Sequence, residues 1–109
     1  MKEVTVKRED DTLFALLNCE IDHHSAKAIR ESIDEAMEMS GARKLVMDFS
    51  GVGFMDSSGI GLIIGRSETA RRLGGSVAIR SLSPHMLRIV RMSGVEKIRN
   101  LTIEAEEDK

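Results

Sequence analysis

The chain has 109 residues, of which 41% are hydrophobic and 31% charged, the balance of one soluble domain with one core. There is no Trp or Tyr and only three Phe, so that core must be aliphatic. Sixteen basic and 18 acidic residues, mixed along the chain for a net charge of -2, exclude the basic stripe of a nucleic-acid binder.

"VTVKREDDTLFALLNC" reads as two strands joined by a polar turn around Glu9, Asp10 and Asp11. The second, Thr12 to Cys19, is apolar at most positions, which predicts an inner strand covered on both faces. "DHHSAKAIRESIDEAMEMSG" predicts a helix with Ala26, Ile29, Ile33, Ala36 and Met37 as its apolar stripe. Asp22 or Ser25 can cap its start, and Gly41 follows its end. "KLVMDF" is a short strand ending near Phe49. A second helix begins near Ser57 or Ser58 and places Ile60, Ile63, Ile64 and Ser67 on one face. Arg71 and Arg72 suit its C-terminal end, and Gly74 stops it. "SVAIR" is a further strand. "SPHMLRIVRMSG" is a helix with Ser83 as cap, Pro84 in its first turn and Gly94 past its end. The remainder predicts a short strand near Ile98, then a strand or helical tail, with residues 104–109 as a frayed acidic end. After the first hairpin, strands and helices alternate, so the fold class is α/β, a mixed sheet in one domain spanning residues 1–109.

"MKEVTVKRED" has no apolar signal core and no segment reaches membrane-spanning length, which predicts a cytoplasmic protein without a membrane partner. A single cysteine, Cys19, cannot form an internal disulfide and reads as a small core residue.

The segment that carries chemistry is "FMDSSGIG", residues 54–61. It lies at a strand-to-helix corner, at the carboxyl end of a strand, where α/β sheets place functional groups. Gly59, Gly61 and Gly65 in the following helix cost roughly 2–3 kcal/mol together relative to alanine. Close approach to the helix start would explain that cost. Spacing alone leaves a second reading open, in which Ser57 or Ser58 is simply the N-cap and the glycines serve helix–sheet packing.

Other chemistries fit worse. Gly59-Ile60-Gly61 with Gly65 does not follow its strand immediately, since a polar corner intervenes, and it lacks the acid about twenty residues on that a dinucleotide site needs. Neither serine has the flanking glycines of a nucleophile elbow. His23 and His24 are adjacent and diverge on a helix, and only His85 remains, so no metal site is expected.

"FMDSSGIGLIIGR", "EIDHHSA" at residues 20–26 and "SLSPHMLRIVRMSGVEKI" together resemble the bacterial anti-sigma factor antagonists, the STAS-domain proteins, and among them the sporulation branch. The resemblance covers nearly the whole chain. It implies a STAS-type domain with a four-to-five-stranded sheet and helices on one side. It implies phosphorylation of Ser57, and a partner that is both anti-sigma factor and serine kinase, holding ADP or ATP. A serine phosphatase would reverse the modification. The unphosphorylated antagonist would bind the kinase and free a sigma factor, with no catalysis and no cofactor of its own. Glu20, Asp22, Asp56, Ser58, Gly59 and Gly61 are the residues expected to face the partner. The alternatives are a STAS regulator of a stress pathway with the same partner-switching logic, or a small-ligand STAS module.

Overall fold

In the computed structural model, which describes residues 3–104, the elements run β1 (Val4–Glu9), β2 (Thr12–Leu17), α1 (His23–Ser40), β3 (Lys44–Asp48), α2 (Ser57–Arg72), β4 (Ser76–Arg80), α3 (Pro84–Ser93) and β5 (Leu101–Glu104). A tight turn joins β1 to β2. Asp10 takes φ 56° there, a conformation Asp tolerates better than most residues. The strands then lie in sequence order, β1-β2-β3-β4-β5, with the first pair antiparallel and the rest parallel. Val4 stands opposite Leu17, Leu16 opposite Asp48, Asp48 opposite Arg80, and Arg80 opposite Glu104.

Each helical crossover advances one strand in the same direction. Right-handed crossovers of that kind put every helix on one face of the sheet. The core confirms it. Leu13, Ala15, Leu17, Leu45, Met47, Val77 and Ile79 share one cluster with Ile29, Ile33 and Met37 of α1, Leu62, Ile63 and Ala70 of α2, and Met86 and Val90 of α3.

The opposite face of the β1–β2 half is open, which corrects the expectation for the second strand. β2 alternates: Leu13, Ala15 and Leu17 are buried, Phe14 is half-buried and Leu16 is exposed. The Arg80 guanidinium sits 5.4 Å above the Phe14 ring and its Nε is 3.1 Å from Asp48. Cys19 lies beyond the strand, half-buried, and burial pushes its thiol pKa up.

Three further expectations change. The α2 face is turned from the one expected: Leu62, Ile63, Arg66, Ser67 and Ala70 are buried, Ile60 is half-buried, and Ile64 is exposed. The cause is that α2 packs on β4 and against α1 together. No strand forms near Ile98. Gly94 ends α3 at φ 86°, Val95–Lys97 form a 3-10 turn, and Ile98 packs against the core. Glu104 closes β5 instead of fraying, while 105–109, also expected to fray, lie outside the described residues.

Candidate functional site

Asp22 caps α1. Its Oδ1 accepts the His24 N–H at 2.9 Å and the Ser25 N–H at 3.0 Å. Ser25 returns the bond, its hydroxyl accepting the Asp22 N–H at 3.0 Å, and it also donates to the Glu20 carbonyl at 2.7 Å. This is a capping box. The Ser25 amide above all, helped by the His24 amide and the Ser25 hydroxyl, holds the Asp22 carboxyl below the usual carboxylate range against the opposing effect of burial.

Asp56 does the same work for α2, accepting the Ser58 N–H at 2.7 Å. Neither serine is the cap, so the reading of Ser57 or Ser58 as a plain N-cap is corrected. The chain approaches that cap extended, because Met55 forms a parallel bridge with Ile21. The Ile21 N–H donates to the Phe54 carbonyl at 2.9 Å, and the Asp56 N–H donates to the Ile21 carbonyl at 3.1 Å. Ile21 and Met55 are both buried. One residue beyond each bridge partner stands a capping aspartate. The starts of α1 and α2, with their positive dipole ends, are thereby held side by side at the carboxyl edge of the sheet.

Ser57 is the first residue of α2 and is exposed, and its hydroxyl makes no hydrogen bond to another described residue. Ser58 is half-buried. Glu20 is exposed and Asp22 half-buried on the same edge. The two glycines separate. A Cβ on Gly59 would lie 2.3 Å from Met55 Cγ and Sδ, so Gly59 packs inward on the bridge. Gly61 is exposed, and a Cβ there would meet nothing. Phe54, 49% exposed beside Asp56, was not singled out by the sequence. Its signal was present: a bulky aromatic, in a chain with three, immediately before the polar corner. His23 and His24 stand edge to face, ring centroids 5.7 Å apart. Among the described residues no three His, Cys, Asp or Glu side chains gather as metal ligands, and no helix is long and apolar enough to cross a membrane.

The STAS domain family matches residues 3–109. The chain belongs to that family. This STAS domain is similar to the anti-sigma F factor antagonist of Paenibacillus polymyxa, at 32% identity over 96 residues, covering 88% of this chain and 82% of the relative. It is also similar to the anti-sigma-B factor antagonist of Bacillus subtilis, at 26% over 103 residues, covering 94% and 93% of the two chains. Among solved structures, the phosphorylated form of SpoIIAA, a Bacillus cell fate determinant, superimposes with a TM-score of 0.71 at 27% identity, covering 94% of this chain and 92% of its own. The mixed five-stranded sheet with three helices is the fold the STAS resemblance implied.

Proposed function

We propose that this STAS domain is an anti-sigma factor antagonist that works by partner switching. Its unphosphorylated form binds an anti-sigma factor that is also a serine kinase, and so frees a sigma factor. The kinase, with ATP, phosphorylates Ser57 and breaks the contact; a serine phosphatase restores it. The domain is a substrate and a binding module, with no catalysis of its own, acting in the cytoplasm. Glu20, Asp22, Phe54, Asp56 and Ser58 surround Ser57 on the partner-facing edge, and Gly61 lets the partner approach α2.

The observation that carries this reading is the exposed Ser57 hydroxyl on the first turn of α2, beside a second helix start that the Ile21–Met55 bridge fixes in place. A hydroxyl so placed can enter a kinase site without unfolding its own helix, and the helix N-terminus tolerates the added charge. The likeness to the anti-sigma F antagonist, at 32% against 26% for the anti-sigma-B antagonist, supports the sporulation branch. The test is reconstitution: the sigma factor bound to its anti-sigma kinase is mixed with this protein, and sigma release is followed by size-exclusion chromatography. Unphosphorylated protein releases sigma, and protein pre-treated with kinase and ATP does not. No release by either form overturns the reading.

A further inference from the structure

Residues 49–56 join β3 to α2 and so decide where Ser57 stands. The segment opens in a tight turn. The Val52 N–H donates to the Phe49 carbonyl at 3.0 Å, with Ser50 and Gly51 between them. Phe49 and Val52 are buried. The turn passes close over the end of β2, where a Cβ on Gly51 would lie 2.6 Å from the Leu17 carbonyl oxygen. The segment closes at Met55, in its bridge with Ile21. Gly53 and Phe54, between turn and bridge, are exposed. A displaced turn would therefore be felt at the bridge and at the helix start just beyond it.

Among the described residues, Asp48 alone offers a side chain to the backbone of this turn. Its Oδ1 accepts the Ser50 N–H at 2.9 Å, the local bond by which aspartate fixes a turn. Its Oδ2 accepts the Arg80 Nε–H at 3.1 Å. Arg80 is itself held, with its guanidinium over the Phe14 ring and its carbonyl taking the Phe49 N–H at 3.0 Å. Burial pushes the Asp48 carboxyl up, but the Ser50 amide, the Ser50 hydroxyl and Arg80 outweigh it and hold the group below the usual carboxylate range. Asp48 is thus ionised near neutrality, and both its oxygens accept. The pair lies on the open face of the sheet, where Phe14, Leu16, Asp48 and Arg80 help line a hollow of about 350 Å³. A chain of contacts runs from that face, through Phe14, Arg80 and Asp48, into the turn that leads to Ser57.

We infer that Asp48 is a positioning residue for Ser57: with one oxygen on Arg80 and the other on the Ser50 amide, it fixes the turn from which the chain reaches the Ile21–Met55 bridge and the start of α2. That the placement serves phosphorylation rests on the function proposed above; the placement itself does not. Amide NMR of the isotope-labelled full chain therefore reads it first, without a kinase. Asp48→Ala should shift the Ser50, Met55, Ser57 and Ser58 amides and speed hydrogen exchange at the Asp56 amide, while the start of α3 stays as in wild type. Asp48→Asn keeps an acceptor for Ser50 and loses only the Arg80 bond, so it should restore most of these signals. If Asp48→Ala does not fold, Arg80→Gln gives the same readout with smaller shifts. With the anti-sigma kinase and saturating ATP, Asp48→Ala should lower kcat at least about tenfold, against the roughly hundredfold that a 1 Å misplacement can cost. KM should stay near wild type, because the surface carrying Glu20 and Asp22 is intact. Lys7→Ala, which borders the same hollow away from the turn, should change neither constant. A wild-type domain that the kinase never modifies counts against the proposed function alone, and the NMR result then decides the placement. Unmoved Ser57 and Ser58 amides in the folded variant, or kcat and KM both equal to wild type, overturn the inference.

Discussion

Ile21 and Met55 are the only residues of their two loops that pair as strand does, and the backbone groups on either side of that bridge are hydrogen-bonded at 2.9 and 3.1 Å. The next residue in each chain segment is the aspartate that caps a helix. One buried bridge thus sets the relative position of two helix starts, and with them the surroundings of Ser57.

Phosphate is expected on Ser57 and not on Ser58. Ser57 is exposed, whereas Ser58 is half-buried and its amide is already bound to Asp56. Incubation with the anti-sigma kinase and ATP, then peptide mapping by mass spectrometry, locates the group. Ser57→Ala should eliminate incorporation; transfer of the label to Ser58 would show that the wrong hydroxyl has been chosen.

The phosphorylated domain should keep its fold and lose its partner. Phosphoserine adds about -1.5 to -2 charges, and a helix N-terminus favours negative charge by about 0.3–1 kcal/mol. At an interface, two like charges about 6 Å apart repel by roughly 3 kcal/mol at an effective dielectric near 20. That is roughly a hundredfold in affinity. The repulsion exceeds the local gain. Backbone NMR spectra of the two forms should superimpose away from the α2 start, while calorimetric affinity for the ADP-bound kinase falls. Equal affinities would exclude a charge-based switch.

Glu20→Lys should weaken kinase binding by about tenfold, the loss expected for one favourable interface charge reversed near 1.4 kcal/mol. Glu20 is exposed, and what it contributes to the fold is its backbone carbonyl, so thermal unfolding should be unchanged. An affinity equal to wild type places Glu20 outside the contact.

Gly59→Ala should destabilise the domain by about 1–3 kcal/mol through overpacking, because the new methyl would stand 2.3 Å from the buried Met55 side chain. Met55→Ala makes the room, so the double variant should be less destabilised than the sum of the singles. Denaturant titrations of all four proteins close the cycle, and strict additivity would separate the two residues.

Asp22 gives a pH dependence. Its carboxyl is held below the usual range by the Ser25 and His24 amides and the Ser25 hydroxyl. A depressed folded-state pKa means the unfolded chain binds the proton more readily. The stabilisation is therefore complete above the ordinary carboxylate range and is lost as pH falls through and below it. Asn caps helices about as well as Asp but does not titrate. Asp22→Asn should match wild type closely near neutrality and lose less stability on acidification, as read from urea midpoints across the acid range.

What could be read from the sequence was mostly local. Gly41, Ser83 and Gly94 mark helix ends because the cap chemistry resides in those residues and their neighbours. Asp22 is legible as a cap for the same reason. The start of α2 was less legible. Asp56, Ser57 and Ser58 are all good caps, and what selects Asp56 is a bridge to Ile21, far back in the chain. The outward turn of Ile64 and the open face beneath Phe14 and Leu16 likewise depend on which elements lie across from them. Gly59 and Gly61 look equivalent in the sequence, yet Met55 fills the space beside one and nothing fills the space beside the other.

The sheet register has a practical consequence for handling the protein. Val4 pairs with Leu17, and Glu104 pairs with Arg80, so the described chain enters and leaves at the same end of the sheet, the end that carries Ser57. The Glu3 carbonyl accepts the Asn18 N–H at 2.8 Å, only two residues before Glu20. An affinity tag or fluorescent fusion joined directly at Val4 or Glu104 would start at the end of the sheet that carries Ser57, where the proposed partner contact lies. Immobilisation is better routed through the far end of the sheet. Exposed Lys44, at the start of β3, can be replaced by cysteine in a Cys19→Ser background, giving one thiol as a tether that leaves both helix starts free.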